Sequence, residues 1–366
     1  MTMTAMQPAT LEFGQRGPNF GLPNVEGGLE RFYDRFIGNL MVLVFYPSQG
    51  HPAAVGLLRD LAARREALVS AGAAIVAVSR DSVAENAALR STQGLGFPLY
   101  SDPEGVVMQA YGALSAGAGI TTYLLDRNQR VLAVFHGSEN LPDQILAHLG
   151  AGKPAPGRAV ATQAPVLLVP NVFDPALCTR AIEAWGRHNT EGAISVPERA
   201  YAETAAEKPS GAIYHDLKRR LDHVADDRLN PVLMKIALNR LKPELFKAFH
   251  FHIGRLERFC IGAYAAERGD YFRPHRDNIT EKTRDRCFAA SIALNDGYEG
   301  GGVKFAEFSE DVYDPPAGGA LIFSCSLLHE AMPVTRGTRF AAFTFFYARP
   351  KGAEAGSGPR PAPRVA

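Results

Sequence analysis

The stretch "LMVLVFYPSQGHPAAVGLLRDLAARREALVSAGAAIVAVS", residues 40–79, decides the fold of the first part of the chain. Residues 40–46 are an unbroken apolar run rich in β-branched side chains, which predicts a buried strand. Residues 53–72 keep apolar side chains at helical spacing and end at Gly72, and residues 73–79 form a second apolar run. Two buried strands joined by a helix predict a βαβ unit in an α/β domain.

Similar elements continue to residue 150. Ser82 and Glu85 have the spacing of a capping box and predict the start of a helix. Residues 121–137 predict a hairpin that turns at residues 126–128, and residues 140–150 predict a closing helix. The first domain therefore alternates strands and helices.

The length of 366 residues favours two domains, and two segments have the composition of joints. Residues 151–165 and 350–366 are rich in Ala, Pro and Gly without periodicity, which predicts a linker and a flexible tail. We therefore expect one domain over residues 10–150 and a second over residues 166–349.

The second domain begins with helices and continues with strands. Residues 173–188 and 230–249 are amphipathic, and five apolar segments follow them: "RLERFCIGAYAA", "RCFAASIALN", "GVKFAEF", "GALIFSCSLLHE" and "RFAAFTFFYAR". This order predicts a β-sandwich or jelly roll with flanking helices. Residues 190–225 have no assignable pattern and are expected to flank its mouth, with His215 and His223 solvated in a charged, helical stretch.

Composition excludes several classes of protein. Lys plus Arg number 39 against 38 Asp plus Glu, and the basic residues are scattered, so no nucleic-acid surface is expected. The beginning of the sequence lacks the pattern of a secretory signal, and no apolar stretch reaches the roughly 18 residues of a membrane span. We expect a cytoplasmic protein that binds neither nucleic acid nor membrane.

Cysteine usage is informative. The four cysteines all lie in the second part of the chain, at positions 178, 260, 287 and 325, with no Cys-x-x-Cys pair. This pattern predicts neither a disulfide framework nor a zinc knuckle. Residues 1–150 contain no thiol at all.

A possible metal site is visible in "GDYFRPHRDNIT" and downstream of it. His275 and Asp277 are two residues apart and share a face if the segment is extended, but such a pair alone is more often solvated. His329 follows 54 residues later, after another apolar segment. Two histidines and one carboxylate on one face of the metal are the ligand set of a non-haem Fe(II) oxygenase, with positions left open for a 2-oxo acid and O2.

Arg339 supplies a further element, ten residues beyond His329. A 2-oxoglutarate co-substrate carries a distal carboxylate, and a guanidinium binds a carboxylate with a planar pair of donors. The alternative is a surface arginine in a strand. The apolar run "RFAAFTFF" argues against it, because an arginine there is expected to be partly buried and to need an anionic partner.

Three segments, "YAAERGDYFRPHRDN", "FAASIALNDGYEGGGVKF" and "PPAGGALIFSCSLLHEAMPVTRGTRF", resemble the prolyl 4-hydroxylase-like branch of the Fe(II)/2-oxoglutarate dioxygenases over residues 255–347. The resemblance implies a double-stranded β-helix with His275, Asp277 and His329 as iron ligands and Arg339 binding 2-oxoglutarate. It further implies a contact of Tyr264 with the co-substrate, and ascorbate as reductant. Many collagen-type members have Lys at the position of Arg339, which leaves the substrate open among peptidyl proline, a free amino acid and a natural product.

The first domain resembles a peroxiredoxin, a thioredoxin-fold redoxin, over residues 14–150. The matching segments are "GPNFGLPNVEGG", "LMVLVFYPSQGHP", "VAVSRDSVAENAAL", "FPLYSDPEGVVMQAYG" and "TTYLLDRNQRVLAVFHG". By this resemblance, Ala54 stands at the peroxidatic cysteine, His51 at the Thr of the active-site box and Ile120 at a strand arginine. Because alanine has no thiolate, the domain is expected to be catalytically degenerate.

We therefore expect a dioxygenase that hydroxylates an unactivated C–H bond of a peptidyl or small-molecule substrate and releases succinate and CO2. The alternatives are a thiol peroxidase, disfavoured by the missing cysteine, and a non-catalytic binding or sensing protein. The redoxin-like domain is expected to be a scaffold or interaction module, and a homodimer through it is one candidate arrangement. A lid over the oxygenase substrate and a stabilising appendage are the other options.

Overall fold

The computed structural model describes residues 10–114, 119–150, 159–192 and 217–349. His215, most of the predicted linker and the predicted tail lie outside these residues, as does much of the segment at 190–225. The chain divides into two compact units, the first ending at Ala159 and the second beginning at Val160. None of the described helices combines the length and the apolar character that crossing a bilayer requires.

The first unit is built on a five-stranded sheet of order β5-β4-β3-β6-β7. Its strands are β1 (Gly21–Pro23), β2 (Leu29–Arg31), β3 (Leu40–Tyr46), β4 (Ala73–Ser79), β5 (Leu99–Ser101), β6 (Thr121–Leu125) and β7 (Val131–His136). Its helices are α1 (Phe32–Phe36), α2 (Ala54–Ala63), α3 (Arg65–Ser70), α4 (Val83–Thr92), α5 (Val106–Ala110) and α6 (Leu141–Leu149). The strands β3, β4 and β5 are parallel, and β6 and β7 are antiparallel additions.

Both faces of β3 are buried. Val42 and Val44 pack in a core with α2, α3 and α6, while Leu43 and Phe45 pack in a second core with α1 and α5. A strand covered on both faces has the continuous apolar sequence seen here rather than an alternating one. This architecture confirms the predicted thioredoxin-like α/β fold, and the capping box of Ser82 is present at the start of α4.

The predicted helix over residues 53–72 is divided into α2 and α3 at Arg64. Between Leu61 and Leu68 no side chain is fully buried. Helices in proteins depend on packing of an apolar face, so nothing holds this charged segment to a single axis.

The second unit contains α7 (Pro175–Arg187), α8 (Asn230–Phe249) and two facing sheets. The major sheet has the order β8-β19-β15-β22-β13-β11-β9, with β12 on β22, and the minor sheet has the order β10-β14-β20-β17-β18. The strands are β8 (Leu167–Val169), β9 (Thr190–Glu191), β10 (Lys218–Arg219), β11 (Leu221–Val224), β12 (Ile253–Leu256), β13 (Cys260–Ala265), β14 (Tyr271–His275), β15 (Arg286–Ala293), β16 (Glu299–Gly300), β17 (Val303–Lys304), β18 (Val312–Tyr313), β19 (Ala320–Ser324), β20 (His329–Ala331), β21 (Val334–Arg336) and β22 (Thr338–Ala348). Helices α7 and α8 share a core with the major sheet, which confirms the predicted jelly roll with flanking helices.

The apolar segment at 319–330 is two strands, not the single strand that was predicted. Strand β19 ends at Ser324, a turn follows, and strand β20 begins at His329. The two strands belong to different sheets, because the chain crosses the sandwich at this turn. Cys325 therefore lies in the turn rather than in a strand, and it is buried.

The expectation that His223 is helical and solvated is wrong. His223 lies in β11 and its side chain is buried. Strand β11 pairs with β13 over four residue pairs, so its charged sequence is drawn into the major sheet. A short polar segment can be a strand when its neighbours supply the ladder, which sequence periodicity does not reveal.

Candidate metal and co-substrate site

The minor sheet brings the two distant histidines together. Strands β14 and β20 are antiparallel neighbours, and His275 lies directly opposite His329 in their ladder. Asp277 follows two residues after the end of β14, and its carboxylate oxygens lie 3.5 Å from Nε2 of each histidine. One ligand atom from each residue can be chosen so that all three lie within 4.8 Å of one another.

Backbone carbonyls orient both imidazoles. His275 Nδ1 lies 2.8 Å from the carbonyl of Arg273, and His329 Nδ1 lies 3.0 Å from the carbonyl of Leu327. A carbonyl can only accept, so Nδ1 carries the hydrogen in each ring, and Nε2 offers its lone pair toward the shared centre. Metal-binding histidines are commonly fixed in this way.

Asp277 is held from its own backbone. Its amide donates to the carbonyl of Cys325 at 3.0 Å, in the turn where the chain crosses between the sheets. Its carbonyl accepts from Arg286 Nη1 at 3.4 Å, and Arg286 itself forms a two-pronged ion pair with Glu257 at 2.7 and 2.8 Å. The carboxylate is thus positioned by groups that do not occupy its oxygens.

The charge states suit a cation. Burial acts to raise the pKa of Asp277, but His329, His275 and Arg286 together lower it below its ordinary value. Burial lowers the pKa of His329 to about 4, against a partial opposing effect of Asp277. At neutral pH the site therefore presents an ionised carboxylate and a neutral imidazole at position 329, which are the forms that bind a divalent metal.

Arg339 lies in β22 of the major sheet and is almost completely buried, with 1% of its surface exposed. Its Nη2 donates to Ser291 Oγ at 3.4 Å, while Nε and Nη1 have no hydrogen-bond partner among the described residues. Asp314 Oδ1 lies 4.0 Å from Nε, beyond hydrogen-bond reach. A buried guanidinium with two unsatisfied nitrogens is costly unless a ligand supplies the anion.

Tyr264 is the direct neighbour of Arg339 across the β13–β22 ladder, and it too is buried. Its ring centre lies 5.6 Å from the guanidinium carbon of Arg339. Burial raises the pKa of Tyr264, with Arg220 and Arg339 opposing this in part, so the phenol keeps its hydrogen.

A turn of consecutive glycines packs under Arg339. Gly301 has φ +76°, in the left-handed region that favours glycine, and a Cβ there would lie 2.7 Å from Val334 Cγ2 and 3.0 Å from Arg339 Cδ. The turn is therefore required for close approach as well as for chain reversal.

A cavity between the two sheets joins these groups. Its wall is mostly apolar and is formed by Arg220, Cys260, Tyr264, Phe272, His275, Asp277, Ala289, Ala290, Ser291, Val303, Phe323, His329, Ala331, Arg339, Phe343 and Phe345. All five residues singled out from the sequence (His275, Asp277, His329, Arg339 and Tyr264) line this one space. An apolar pocket with a few convergent polar groups is the usual form of a small-ligand site.

Sequence reasoning missed two polar residues of the cavity, Arg220 and Ser291. Arg220 belongs to Lys218-Arg219-Arg220, a short basic run among otherwise scattered charges, which reads as part of the protein surface. The alternation of Arg220 with Asp222 around apolar Leu221 is the signal that could have indicated a half-buried strand. Ser291 lies in β15 among alanines and has no distinguishing pattern.

The three positions at which the resemblance places a thiol site can be located in the first unit. Ala54 is the first residue of α2 and is buried, and Ile120 is buried ahead of β6. The ring of His51 lies near the same helix start, where its Nδ1 is 3.4 Å from the amide of Ala53. None of these residues can supply a thiol, because residues 1–150 have no cysteine.

Two family descriptions match the chain. The AhpC/TSA family matches residues 13–134, and the 2OG-Fe(II) oxygenase superfamily matches residues 261–347. The first part of the chain therefore belongs to the AhpC/TSA family, and its second part carries a domain that matches the 2OG-Fe(II) oxygenase superfamily.

Individual relatives divide in the same way. The peroxiredoxin Bcp of Xanthomonas campestris is 31% identical over 144 residues, which are 36% of this chain and 90% of that protein. Human procollagen-lysine,2-oxoglutarate 5-dioxygenase 2 is 36% identical over 135 residues, 36% of this chain and 16% of that protein. A prolyl-4-hydroxylase structure from Pseudomonas putida is 16% identical with a TM-score of 0.36, covering 51% of this chain and 94% of that one. The chain spans only 63% of the length of a Mycobacterium tuberculosis peroxiredoxin that it also matches.

Proposed function

We propose that the chain is an Fe(II)- and 2-oxoglutarate-dependent hydroxylase. The observation that carries the proposal is the convergence of two groups of side chains in one cavity. Two histidines and a carboxylate meet there as possible metal ligands, and Arg339 is buried there with two nitrogens that have no hydrogen-bond partner among the described residues. A metal chelated by a 2-oxo acid with a distal carboxylate completes both.

In this proposal each residue has one task. His275, Asp277 and His329 hold the metal, and Arg339 and Tyr264 hold the distal carboxylate of 2-oxoglutarate. Fe(II), when bound, supplies the chemistry by which O2 oxidises 2-oxoglutarate to succinate and CO2 and hydroxylates a C–H bond. Ascorbate is the proposed reductant that keeps the iron in the ferrous state.

The apolar wall of the cavity supports a substrate with an unactivated C–H bond, either a peptidyl group or a small molecule. Phe272 stacks on the ring of His275, with ring centres 3.5 Å apart, and Phe323 packs against His329 at 4.5 Å. Aromatic side chains beside the metal ligands exclude water from the reacting centre, which protects it from side reactions.

The redoxin-like unit is proposed to act as a scaffold or interaction module, with dimerisation as one form of this role. The support is chemical, because its fold is kept while the thiol is absent. Cytoplasmic location is likewise a proposal, and it rests on the sequence pattern alone.

The test is succinate release from 2-oxoglutarate under air with Fe(II) and ascorbate. We expect wild type to release succinate and His275→Ala to lose at least about a hundredfold, since one of three metal ligands is removed. The matched control is His252→Ala, an exposed histidine of the same unit that lies outside the cavity. Equal release by wild type and His275→Ala would overturn the assignment.

A further inference from the structure

A buried cluster of charges lies behind Tyr264. Lys218 Nζ lies 2.7 Å from Asp222 Oδ2, and Arg220 Nε lies 2.6 Å from Asp222 Oδ1. Arg220 Nη1 donates to the hydroxyl of Tyr264 at 2.6 Å. One carboxylate thus serves two cations, and Arg220 connects it to Tyr264 in the wall of the cavity.

The cluster is placed by the topology. Strand β10 pairs with β14 of the minor sheet, and β11 pairs with β13 of the major sheet. Arg220 is the single residue between them, where the chain crosses from one sheet to the other. Its side chain therefore enters the space between the sheets, where its guanidinium carbon lies 4.3 Å from the ring centre of Phe343.

The neighbouring strand leaves room for this arrangement. Gly262 lies directly opposite Asp222 in the β11–β13 ladder. A Cβ at Gly262 would lie 2.9 Å from Phe343 Cε2 and 3.0 Å from both Arg220 Nε and Asp222 Oδ1. Any larger residue would push against the guanidinium, so its position is tightly defined.

The contact with Arg220 decides how Tyr264 can act. A neutral phenol offers one hydrogen and accepts through its lone pairs. Arg220 donates a hydrogen bond to the phenol oxygen of Tyr264, so the phenol hydrogen must point away from Arg220. Among the described residues, no acceptor for that hydrogen is present. The guanidinium carbon of Arg339 lies 5.6 Å from the centre of the Tyr264 ring, and its Nε and Nη1 have no hydrogen-bond partner among the described residues.

We propose that Arg220 is a positioning residue, which holds Tyr264 as a hydrogen-bond donor toward the carboxylate that Arg339 binds. The inference rests on the proposed function, since the carboxylate is that of 2-oxoglutarate. Asp222 fixes Arg220, Arg220 fixes the phenol oxygen, and the phenol hydrogen joins the guanidinium of Arg339 around the anion. Arg220 itself does not need to touch the co-substrate.

The test is calorimetric binding of 2-oxoglutarate to the full chain loaded with Mn(II) under nitrogen, where no turnover occurs. Arg220→Lys keeps a cation for Asp222, but an ammonium cannot contact Asp222 and Tyr264 through separate nitrogens as the guanidinium does. We expect the dissociation constant to rise about tenfold, the value of one hydrogen bond to a charged group. Tyr264→Phe should give a similar rise, and the double variant should bind no more weakly than Tyr264→Phe alone.

Two comparisons make the result specific. Lys218→Met removes the other cation from Asp222 without touching Tyr264, and its dissociation constant should stay at the wild-type value. If Arg220→Lys does not fold, Gly262→Ala displaces the guanidinium without changing any charge and should produce the same loss, again absent in the Tyr264→Phe background.

Losses that multiply in the double variant, or wild-type binding by Arg220→Lys, would overturn the inference while leaving the proposed function standing. Failure of wild type to bind 2-oxoglutarate, or unchanged binding by Arg339→Met, would overturn both.

Discussion

At the scale of single residues, the two nitrogens of His329 have different tasks. Nδ1 faces the carbonyl of Leu327, and Nε2 faces Asp277 and the centre of the site. The ring is buried, so without a metal it must remain neutral or form a charge in an apolar space. Burial keeps the His329 ring neutral, which suits metal binding, but it also means that the metal-free protein should lose stability at acid pH.

We predict that the metal-free protein loses stability as the pH falls from about 6.5 to about 4. The pKa of His329 is about 4 in the folded protein, below its ordinary value of 6.5, so in this window only the unfolded chain binds the proton. The free energy of unfolding should fall by about 3 kcal/mol across this pH window. Above the window, His329 should no longer make the stability depend on pH.

Urea unfolding of metal-free wild type and His329→Gln at several pH values measures this effect. The variant lacks the titrating ring, so its stability should depend less on pH over the same range. Parallel pH dependences for the two proteins would contradict the prediction.

At the scale of elements, the two units differ in whether the places where reactive side chains are expected carry them. The resemblance places a thiol at the start of helix α2, but the residue there is Ala54, which is buried, and the nearby Ile120 is apolar. In the ladder between β14 and β20, His275 and His329 face each other and both can bind a metal. An element supplies the geometry, and the side chains on it decide whether chemistry follows.

We predict that Ala54→Cys does not restore peroxide reduction. A peroxidatic thiolate needs polar neighbours that stabilise it and orient the peroxide, and burial raises the pKa of a thiol. His51 and Ile120 stand where the resemblance places a threonine and an arginine, so these neighbours are lacking. Peroxide consumption by iron-free Ala54→Cys should equal that of Ala54→Ser, and a clear excess in the cysteine variant would refute the prediction.

At the scale of the whole molecule, each unit has its own cores. Two apolar clusters lie in the first unit, and the clusters of the second unit contain only residues from position 164 onward. The metal ligands, Arg339 and the cluster at Arg220 all belong to the second unit. All the residues of the proposed site therefore lie within one unit.

We predict that residues 160–349 expressed alone fold and release succinate from 2-oxoglutarate to within about a factor of two of the full chain, as expected for a domain with its own core. Circular dichroism with a thermal melt reports folding, and the succinate assay with His275→Ala as blank reports the site. A folded fragment that has lost co-substrate turnover would show that the redoxin-like unit takes part in the reaction rather than acting as a scaffold.

The two fold classes and the identities of five cavity residues can be predicted from the sequence alone. Continuous apolar runs and helical spacing are local properties, and His275 with Asp277, His329, Arg339 and Tyr264 stand in segments whose order is distinctive. These features can be recognised without a structure, because each pattern or motif is formed by residues close together in the chain. The absence of a thiol in residues 1–150 is likewise a fact of composition.

Which groups meet, and which of them lack hydrogen-bond partners among the described residues, depends on how the chain folds. The crossing of the chain after Ser324 placed His329 opposite His275, and the pairing of β11 with β13 drew Arg220, Asp222 and His223 into the interior. Such contacts depend on strand partners distant in sequence, and the burial of a charge depends on the sum of its surroundings. For that reason Arg220 reads as surface charge in the sequence, whereas in the folded chain it is buried and donates to the hydroxyl of Tyr264.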